Sequence, residues 1–300
     1  QWNQTDQLVW NLGAMYETAS IASNRLSPRL ALNYLIDEST SIRAARTRAF
    51  RMPSILERHN TYFLRQNDAN GNRILEQQAS AAEGLIPGQI DTTELGFYCL
   101  IPENNLQLDL RLFHERVSQG IRSKFVEVDP DLVIDDPVLA SLENGTSITK
   151  GNVEFFDAEG IEFQVKYKPQ PETLVLLNYG HVEIDGQYLK KPNDTFQLHH
   201  YAPKDTASIL VSHQFDDQWQ ASLAHYFMGS TRWLEGTSGK EVRKAYQRTD
   251  LQIKKRFPLT QHTDAEVKLI VQNLLDKRYQ EFYANNHFDR RAYVEFKLLY

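Results

Sequence analysis

The sequence predicts an all-β chain, an antiparallel up-and-down sheet of about twelve strands with roughly ten residues in each. Three observations carry the prediction. Apolar and polar residues alternate in one stretch after another, the two-residue period of a strand with one apolar face. The stretches are long enough to cross a bilayer at a tilt, whereas soluble strands usually have about five or six residues. The connections between them run short, long, short, long. No stretch reads as an amphipathic helix.

The strands follow in chain order. Residues 8–17 (LVWNLGAMYE) are a weaker candidate, and 29–35 (RLALNYL) a clear one with Leu30, Leu32 and Tyr34 on one face. Residues 41–49 (SIRAARTRA) alternate less cleanly, because Arg46 shares parity with Ile42 and Ala44. Either Arg46 stands at the upper edge of the apolar face, within reach of lipid phosphates, or a bulge resets the register. Residues 92–101 are weaker, and 106–113 (LQLDLRLF) alternate strictly through Leu106, Leu108, Leu110 and Leu112. Residues 160–168 (GIEFQVKYK), 206–215, 219–227, 248–257 and 265–273 are clear; 173–184 is weaker. The last strand, RRAYVEFKLLY, sets Ala292, Val294, Phe296, Leu298 and Tyr300 against Tyr293, Glu295, Lys297 and Leu299.

The short connections, 36–40, 102–105, 169–172, 216–218 and 258–264, are rich in Pro, Asp and Asn, as tight turns require. The long ones lie around 50–90, 120–152, 185–204, 230–244 and 276–289. An up-and-down sheet puts alternate connections at opposite ends. One end therefore has clipped turns and the other long excursions, the asymmetry of an outer-membrane β-barrel. The turn end also carries Tyr34, Tyr167, Phe215, Trp219, Phe257 and Tyr300, each on the apolar parity of its strand. That is a girdle of amphipathic rings at one membrane–water interface. The opposite parity is polar: Glu162, Gln164, Lys166 and Lys168 on one strand, Arg248, Asp250, Gln252, Lys254 and Arg256 on another. In a transmembrane barrel these face a wet lumen. In a soluble sandwich they would face solvent, and alternation alone does not separate the two.

Composition narrows the function. A net charge of -6 and a pI near 5.9 give no reason to expect a nucleic-acid partner. The single cysteine, Cys99, forms no internal disulfide. No stretch reaches about 18 consecutive apolar residues, so no transmembrane helix is expected. The mean hydropathy of -0.52 fits a barrel wall as well as a soluble domain, since lumen-facing residues dilute the average. The amino end, QWNQTDQLVWNLG, does not read as a signal peptide.

No constellation argues for an enzyme, a cofactor or a resident metal. The nine histidines form no His-x-x-x-His, and there is no Cys-x-x-Cys, Gly-x-Ser-x-Gly or phosphate-binding glycine loop. Ser208 and Ser212 with His181 or His225 make trios of a kind that any chain of this length offers. The candidate ligand-binding residues stand in the long loops. Arg51, Arg58 and His59 open the longest one, though Glu57, Asp68 and Glu76 beside them suit a solvated mixed-charge loop better. His199 and His200 precede APKDTAS and have the side chains to touch a metal chelate; a solvated polar loop is the plainer reading. Trp233 and Tyr283 sit where loops begin, as girdle rings or ligand stackers. The acidic run VDPDLVIDDP (128–137) lacks the glycine and terminal glutamate of a calcium loop.

From about Ser27 to Tyr300 the chain also resembles the carboxyl-terminal part of a TonB-dependent outer-membrane receptor. SPRLALNY followed by IRAARTRAFRMPSILE is similar to that family's paired strands and Arg-Ala-Phe-Arg-x-Pro-Ser segment. TTELGFY with NLQLDLRLFHERV resembles its next hairpin, EGIEFQVKYKP its Gly-Ile/Val-Glu strand, and VQNLLDKRYQEF its Asn-Leu-Phe/Leu-Asp-Lys-x-Tyr signature. The resemblance implies a 22-stranded barrel around an amino-terminal plug. It further implies active uptake of a scarce nutrient across the outer membrane of a Gram-negative bacterium, energised through the TonB complex. A ferric siderophore is the commonest cargo, with vitamin B12 or a glycan as other options. Lipid and lipopolysaccharide would surround the wall, and the terminal aromatic strand would be read by the barrel assembly machinery. Nothing in the sequence resembles the plug, and about twelve strands are too few for the whole barrel. Residues 1–300 are therefore expected to be the carboxyl-terminal portion of the barrel, with no plug domain. A complete passive pore of about twelve strands and a soluble β-rich binding module remain as alternatives.

Overall fold

In a computed structural model of the chain, the described residues are 1–60, 62–67, 73–79, 81–82, 84–127, 146–191, 194–199, 201–232, 242–281 and 286–299. Candidate residues His200, Trp233, Tyr283 and Tyr300, and the acidic run 128–137, lie outside them.

Twelve long strands follow one another: β1 Leu8–Ala19, β2 Ala22–Leu35, β3 Thr40–Arg51, β4 Gly88–Ile101, β5 Leu106–Glu127, β6 Thr146–Gln170, β7 Thr173–Lys191, β8 Asp205–Gln214, β9 Trp219–Met228, β10 Tyr246–Pro258, β11 Asp264–Gln272 and β12 Arg291–Leu299. Each pairs antiparallel with the next in chain order, so the sheet is an uninterrupted up-and-down wall. The short strand Trp2–Asn3 pairs with β1 at one edge, and β12 forms the other; among the described residues the two edges do not pair.

The turn end matches the sequence expectation. Asp37 Oδ1 accepts the Ser39 amide at 2.8 Å, and Asp216 Oδ1 accepts those of Gln218 and Trp219 at 2.8 and 2.7 Å. These Asp turns replace backbone bonds that the departing strands cannot make. Between β4 and β5 a 3₁₀ turn, Pro102–Asn104, ends on Asn105 in the left-handed region at φ 48°. The other end departs from expectation in three places. Strands β5, β6 and β7 run to 22, 25 and 19 residues, well into the expected loops. β1 and β2 are joined tightly, Ala19 pairing Ala22. A five-residue helix, α1 Ile55–His59, follows β3 where no helix was expected.

The structure also decides which face is which. Leu30, Leu95, Leu112, Leu223, Val294 and Phe296 are all exposed on the apolar face, Val294 to 74%. The buried apolar residues among those described are few and mostly small, such as Ala31, Ala158, Ala224 and Ala265. A sandwich would bury its apolar face against a second layer; this wall has one layer and turns that face outward.

The apolar band runs obliquely across the ladders. The row Leu32, Ala44, Leu95, Leu112, Ile161 is apolar over five strands and then meets His181. From β7 the band continues nearer the turns, through Val175, Val211, Leu223, Leu251, Val271 and Ala292. A level band across tilted strands must slide along the register in this way. The oblique course accounts for Arg46. It stands in the next row up, between Leu30 and Thr93, and Nη1 donates to Thr93 Oγ1 at 2.8 Å. Neither ladder of β3 carries a register shift, so no bulge is involved.

Candidate functional site

The polar face is a connected lining. Same-face residues on neighbouring strands stand close enough for their side chains to meet. Arg43 pairs Asp109 at 3.2 Å, and Arg111 bridges Glu94, Glu115 and Glu162 from three strands. Gln164 donates to Asn178 Oδ1 at 2.7 Å, and Asn178 to Ser208 Oγ at 3.2 Å. Farther along, Lys268 reaches Glu266 at 3.3 Å and Glu295 at 2.8 Å. Exposed pairs of this kind contribute little stability each, because water screens them. Their effect is to hold a hydrated surface in one arrangement. Glycines make room within it: Arg43 lies across Gly96, where an added Cβ would sit 2.2 Å from its Nε. Gly180 and Ser208 help open a hollow of about 530 Å³, bounded by Arg43, Arg111, Tyr226 and Met228.

At the loop end a column of planar groups stands on the same wall. The Tyr246 and Tyr279 rings stack with centroids 4.7 Å apart, and Tyr279 stacks on Phe288 at 5.5 Å. The Arg243 guanidinium covers Tyr246 at 5.0 Å, and that of Arg291 covers Phe288 at 4.9 Å. Each contact joins a quadrupolar ring to a ring or to a cation, the geometry that attracts both. Arg248 lies over Tyr226 at 4.9 Å and is tied to Asp250 and Glu281 at 3.1 and 3.3 Å. A second cavity, about 460 Å³, opens beside this column.

The loop that delivers Tyr279 is fixed by Asn273, which is 1% exposed and left-handed at φ 54°. Its amide donates to the Lys277 carbonyl at 2.9 Å, its Oδ1 accepts the Lys277 amide at 3.2 Å, and its own amide donates to Asp250. Asp276, also left-handed, accepts the Arg290 amide at 2.9 Å. The segment Asn273-Leu-Leu-Asp-Lys-Arg-Tyr279 is thus a self-closing turn that ends in the ring at the centre of the column.

Comparison with known proteins decides the family. The sequence profile of the family described as TonB dependent receptor-like, beta-barrel matches residues 1–274. The chain belongs to the TonB-dependent receptor β-barrel family. No curated protein matches it in sequence. Among solved structures it is similar to a mutant of the ferric enterobactin receptor of Pseudomonas aeruginosa, with a TM-score of 0.72 and 16% identity, over 98% of this chain and 43% of that one. The siderophore receptor PirA of Acinetobacter baumannii gives 0.70 and 15%, over 99% and 44%. The ferripyoverdine receptor of P. aeruginosa gives 0.63 and 17%, over 99% and 37%. The chain thus spans less than half the length of these receptors, and at such identities they share its fold.

In this receptor barrel the sequence-predicted site residues fall in different places. Arg51, Arg58 and His59 gather at the base of the loop after β3. Ser54 caps α1: its Oγ accepts the Glu57 amide at 3.2 Å while Glu57 accepts the Ser54 amide at 2.9 Å. Arg51 is already engaged with Glu57 at 2.5 Å, so it is not a free cation. Burial pushes the Glu57 carboxyl up, but the Ser54 amide and Arg51 pull it further down, to below its ordinary value. Arg51 also lines a hollow of about 360 Å³ with Arg122 and Glu154, which pair at 2.7 Å. His199 stands exposed in a turn closed by the Tyr201 amide donating to Leu198 O at 3.0 Å. At the turn end Tyr34, Tyr167, Phe215 and Trp219 are exposed and Phe257 is half-buried; Lys255 lies 4.7 Å from the Trp219 ring.

Sequence reasoning missed Arg243, Tyr246, Tyr279, Phe288 and Arg291 as a group. The signal within reach was the Asn-Leu-Leu-Asp-Lys-Arg-Tyr segment, whose tyrosine is the hub of the column. Arg243 is the unusual member: it is 4% exposed, and burial lowers its hold on its proton.

Proposed function

We propose that this receptor barrel takes up a ferric siderophore across the outer membrane of a Gram-negative bacterium, energised by TonB. The observation that supports it best is the inner face, where two cavities lined by arginine and tyrosine open on a polar wall whose other face is apolar. Relatives named as ferric enterobactin, ferripyoverdine and other siderophore receptors support the cargo class. In this reading the chelate enters at the loop end and meets arginine and tyrosine side chains of β9, β10 and their loops. Residues 1–300 supply the carboxyl-terminal portion of a larger barrel, and a plug in the rest of the receptor transmits the TonB-driven change. The apolar face meets lipid, with Tyr34, Tyr167, Phe215, Trp219, Phe257 and Tyr300 as an interfacial girdle. Arg46, above the band, reaches lipopolysaccharide phosphate. The terminal strand is the segment that the barrel assembly machinery engages.

Growth under iron limitation tests the reading. A strain lacking this receptor and others of its kind is supplied with a panel of ferric siderophores, with and without the gene. Growth restored on at least one chelate, and abolished when TonB is removed, is expected. Failure on every ferric chelate, with uptake of B12 or a glycan instead, would replace the cargo.

A further inference from the structure

Above the apolar band the outward face changes sign partway round the wall. The next two rows read Arg46, Thr93, His114 and Arg48, Asp91, Arg116 across β3, β4 and β5. The same rows continue as Glu159, Glu183 and Asp157, Asp185 on β6 and β7. Three arginines and one carboxylate thus stand on one side, and four carboxylates on the other. Glu159 opposes Glu183 and Asp157 opposes Asp185, and like charges directly opposite each other are destabilising. The segregation therefore works against the stability of the wall. On the basic side, Arg46 gives Nη1 to Thr93 and, among the described residues, pairs with no carboxylate. Arg48 meets Asp91 through Nε at 2.7 Å, and Arg116 meets Asp157 through Nε and Nη2 at 2.7 and 3.2 Å. Each guanidinium has five N–H groups, so neither is used up by its carboxylate. Both side chains are exposed, that of Arg116 to 62%. Directly below lie Leu32, Ala44, Leu95 and Leu112 of the band, where the small Ala44 leaves a shallow groove between two leucines.

We propose that the outward face of β3, β4 and β5 is a defined site for one lipid A headgroup, the acylated diphosphoryl disaccharide of lipopolysaccharide. Its two phosphates sit at opposite ends of the sugar pair. Arg46 and Arg48 stand two strands from Arg116, about 10 Å away, and long side chains on both sides adjust that span. Guanidinium forks take phosphate oxygens in pairs. The acyl chains lie down the groove at Ala44 and cover the leucines beside it. A free phosphate would gain nothing from the band, so the acylated headgroup is the occupant that uses both parts of the surface. The acidic rows on β6 and β7 repel the phosphates and confine the lipid to three strands. In that respect the site differs from the lipid that surrounds any barrel. The inference deepens the reading of the apolar face as the lipid side and rests on it; it does not depend on the cargo.

Diphosphoryl lipid A is the probe, added to the full-length receptor in detergent and counted on it by native mass spectrometry. One lipid A is expected to stay bound. Monophosphoryl lipid A should bind more weakly, and excess inorganic phosphate should not displace either. Arg46→Gln combined with Arg116→Gln should weaken binding at least about tenfold. Asp91→Asn, which releases Arg48, should act in the opposite direction and tighten it severalfold. Lys204→Gln removes a cation paired with Glu183 on the acidic side and should change nothing. Heat-modifiable gel mobility shows which variants fold; if the double variant does not, Arg46→Gln alone and Asp91→Asn decide. No retained lipid A, its displacement by inorganic phosphate, an equal loss in Lys204→Gln, or an unchanged affinity in the arginine variants overturns the proposal. Growth on ferric chelates without lipid A retention would sink this site and leave the uptake reading standing. Retention without growth on any chelate would do the reverse.

Discussion

The Asn273 side chain grips the Lys277 peptide from both sides, donating to its carbonyl at 2.9 Å and accepting its amide at 3.2 Å. The turn between them exists because Asn tolerates the left-handed backbone that it needs. Asn273→Ala removes both bonds and leaves a strained backbone, a loss of roughly 2–4 kcal/mol. Asn273→Gly keeps the backbone and loses only the bonds, so it should be the milder change. Urea titration of the folded receptor in bilayers measures both; an Ala variant as stable as the parent would show that the grip is incidental.

Gly160 lies under the Phe113 ring. A Cβ there would sit 2.8 Å from Phe113 Cζ and 2.2 Å from the His181 carbonyl oxygen, which cannot move without opening the ladder. Gly160→Ala should therefore cost about 1–3 kcal/mol. Phe113→Ala placed in the same chain should not rescue it fully, because the backbone clash remains. Full rescue would assign the constraint to the ring alone.

The outward face of Leu112 and Val294 predicts how charge is tolerated. Lysine at Leu112 should lower folding stability in bilayers by about 2–4 kcal/mol, the penalty for a lipid-facing cation near the midplane. Lysine at Gln164, on the polar face, should cost far less. Equal costs at the two positions would mean that the faces are misassigned.

The α1 cap should respond to acid. The folded Glu57 carboxyl lies below its ordinary value, held down by the Ser54 amide and Arg51 against the effect of burial. Its contribution is therefore present above the ordinary carboxylate range and is lost as pH falls through the lowered folded value. The protection of the Arg58 and Asn60 amides, which bond to Ser54 and Leu56, against hydrogen exchange, taken relative to the intrinsic rate at each pH, should fall in acid in the parent. It should be low and nearly independent of pH in Glu57→Gln. The same acid response in the variant would remove Glu57 from the explanation.

The wall was legible where one face is apolar. Leu106, Leu108, Leu110 and Leu112 announce a strand because nothing but a two-residue period fits them. Above the apolar band that signal fades. His114, Arg116, Asp157 and Glu159 put charge on the outward face of β5 and β6, while Phe113, Val117, Phe156 and Ala158 put apolar groups on the inward one, so the alternation that marked the band does not continue into the extra length of these strands. A register shift between Val117 and Ile121, with Gln119 at φ 57°, then breaks the alternation. α1 has five residues, too few for a helical period, and only the Ser54–Glu57 capping box marks it. The ring column draws on residues 243, 246, 279, 288 and 291, and no local pattern joins them.

That column gives the molecule a built-in optical gauge. Tyr246 and Tyr279 lie nearly parallel, at 23°, and close enough for their electronic transitions to couple. One of the rings belongs to β10 and the other to the loop before β12, so the coupling exists only while that loop is seated. Near-ultraviolet circular dichroism would then report the seating directly, without a label, and a ligand that unseats the loop would announce itself as a loss of signal.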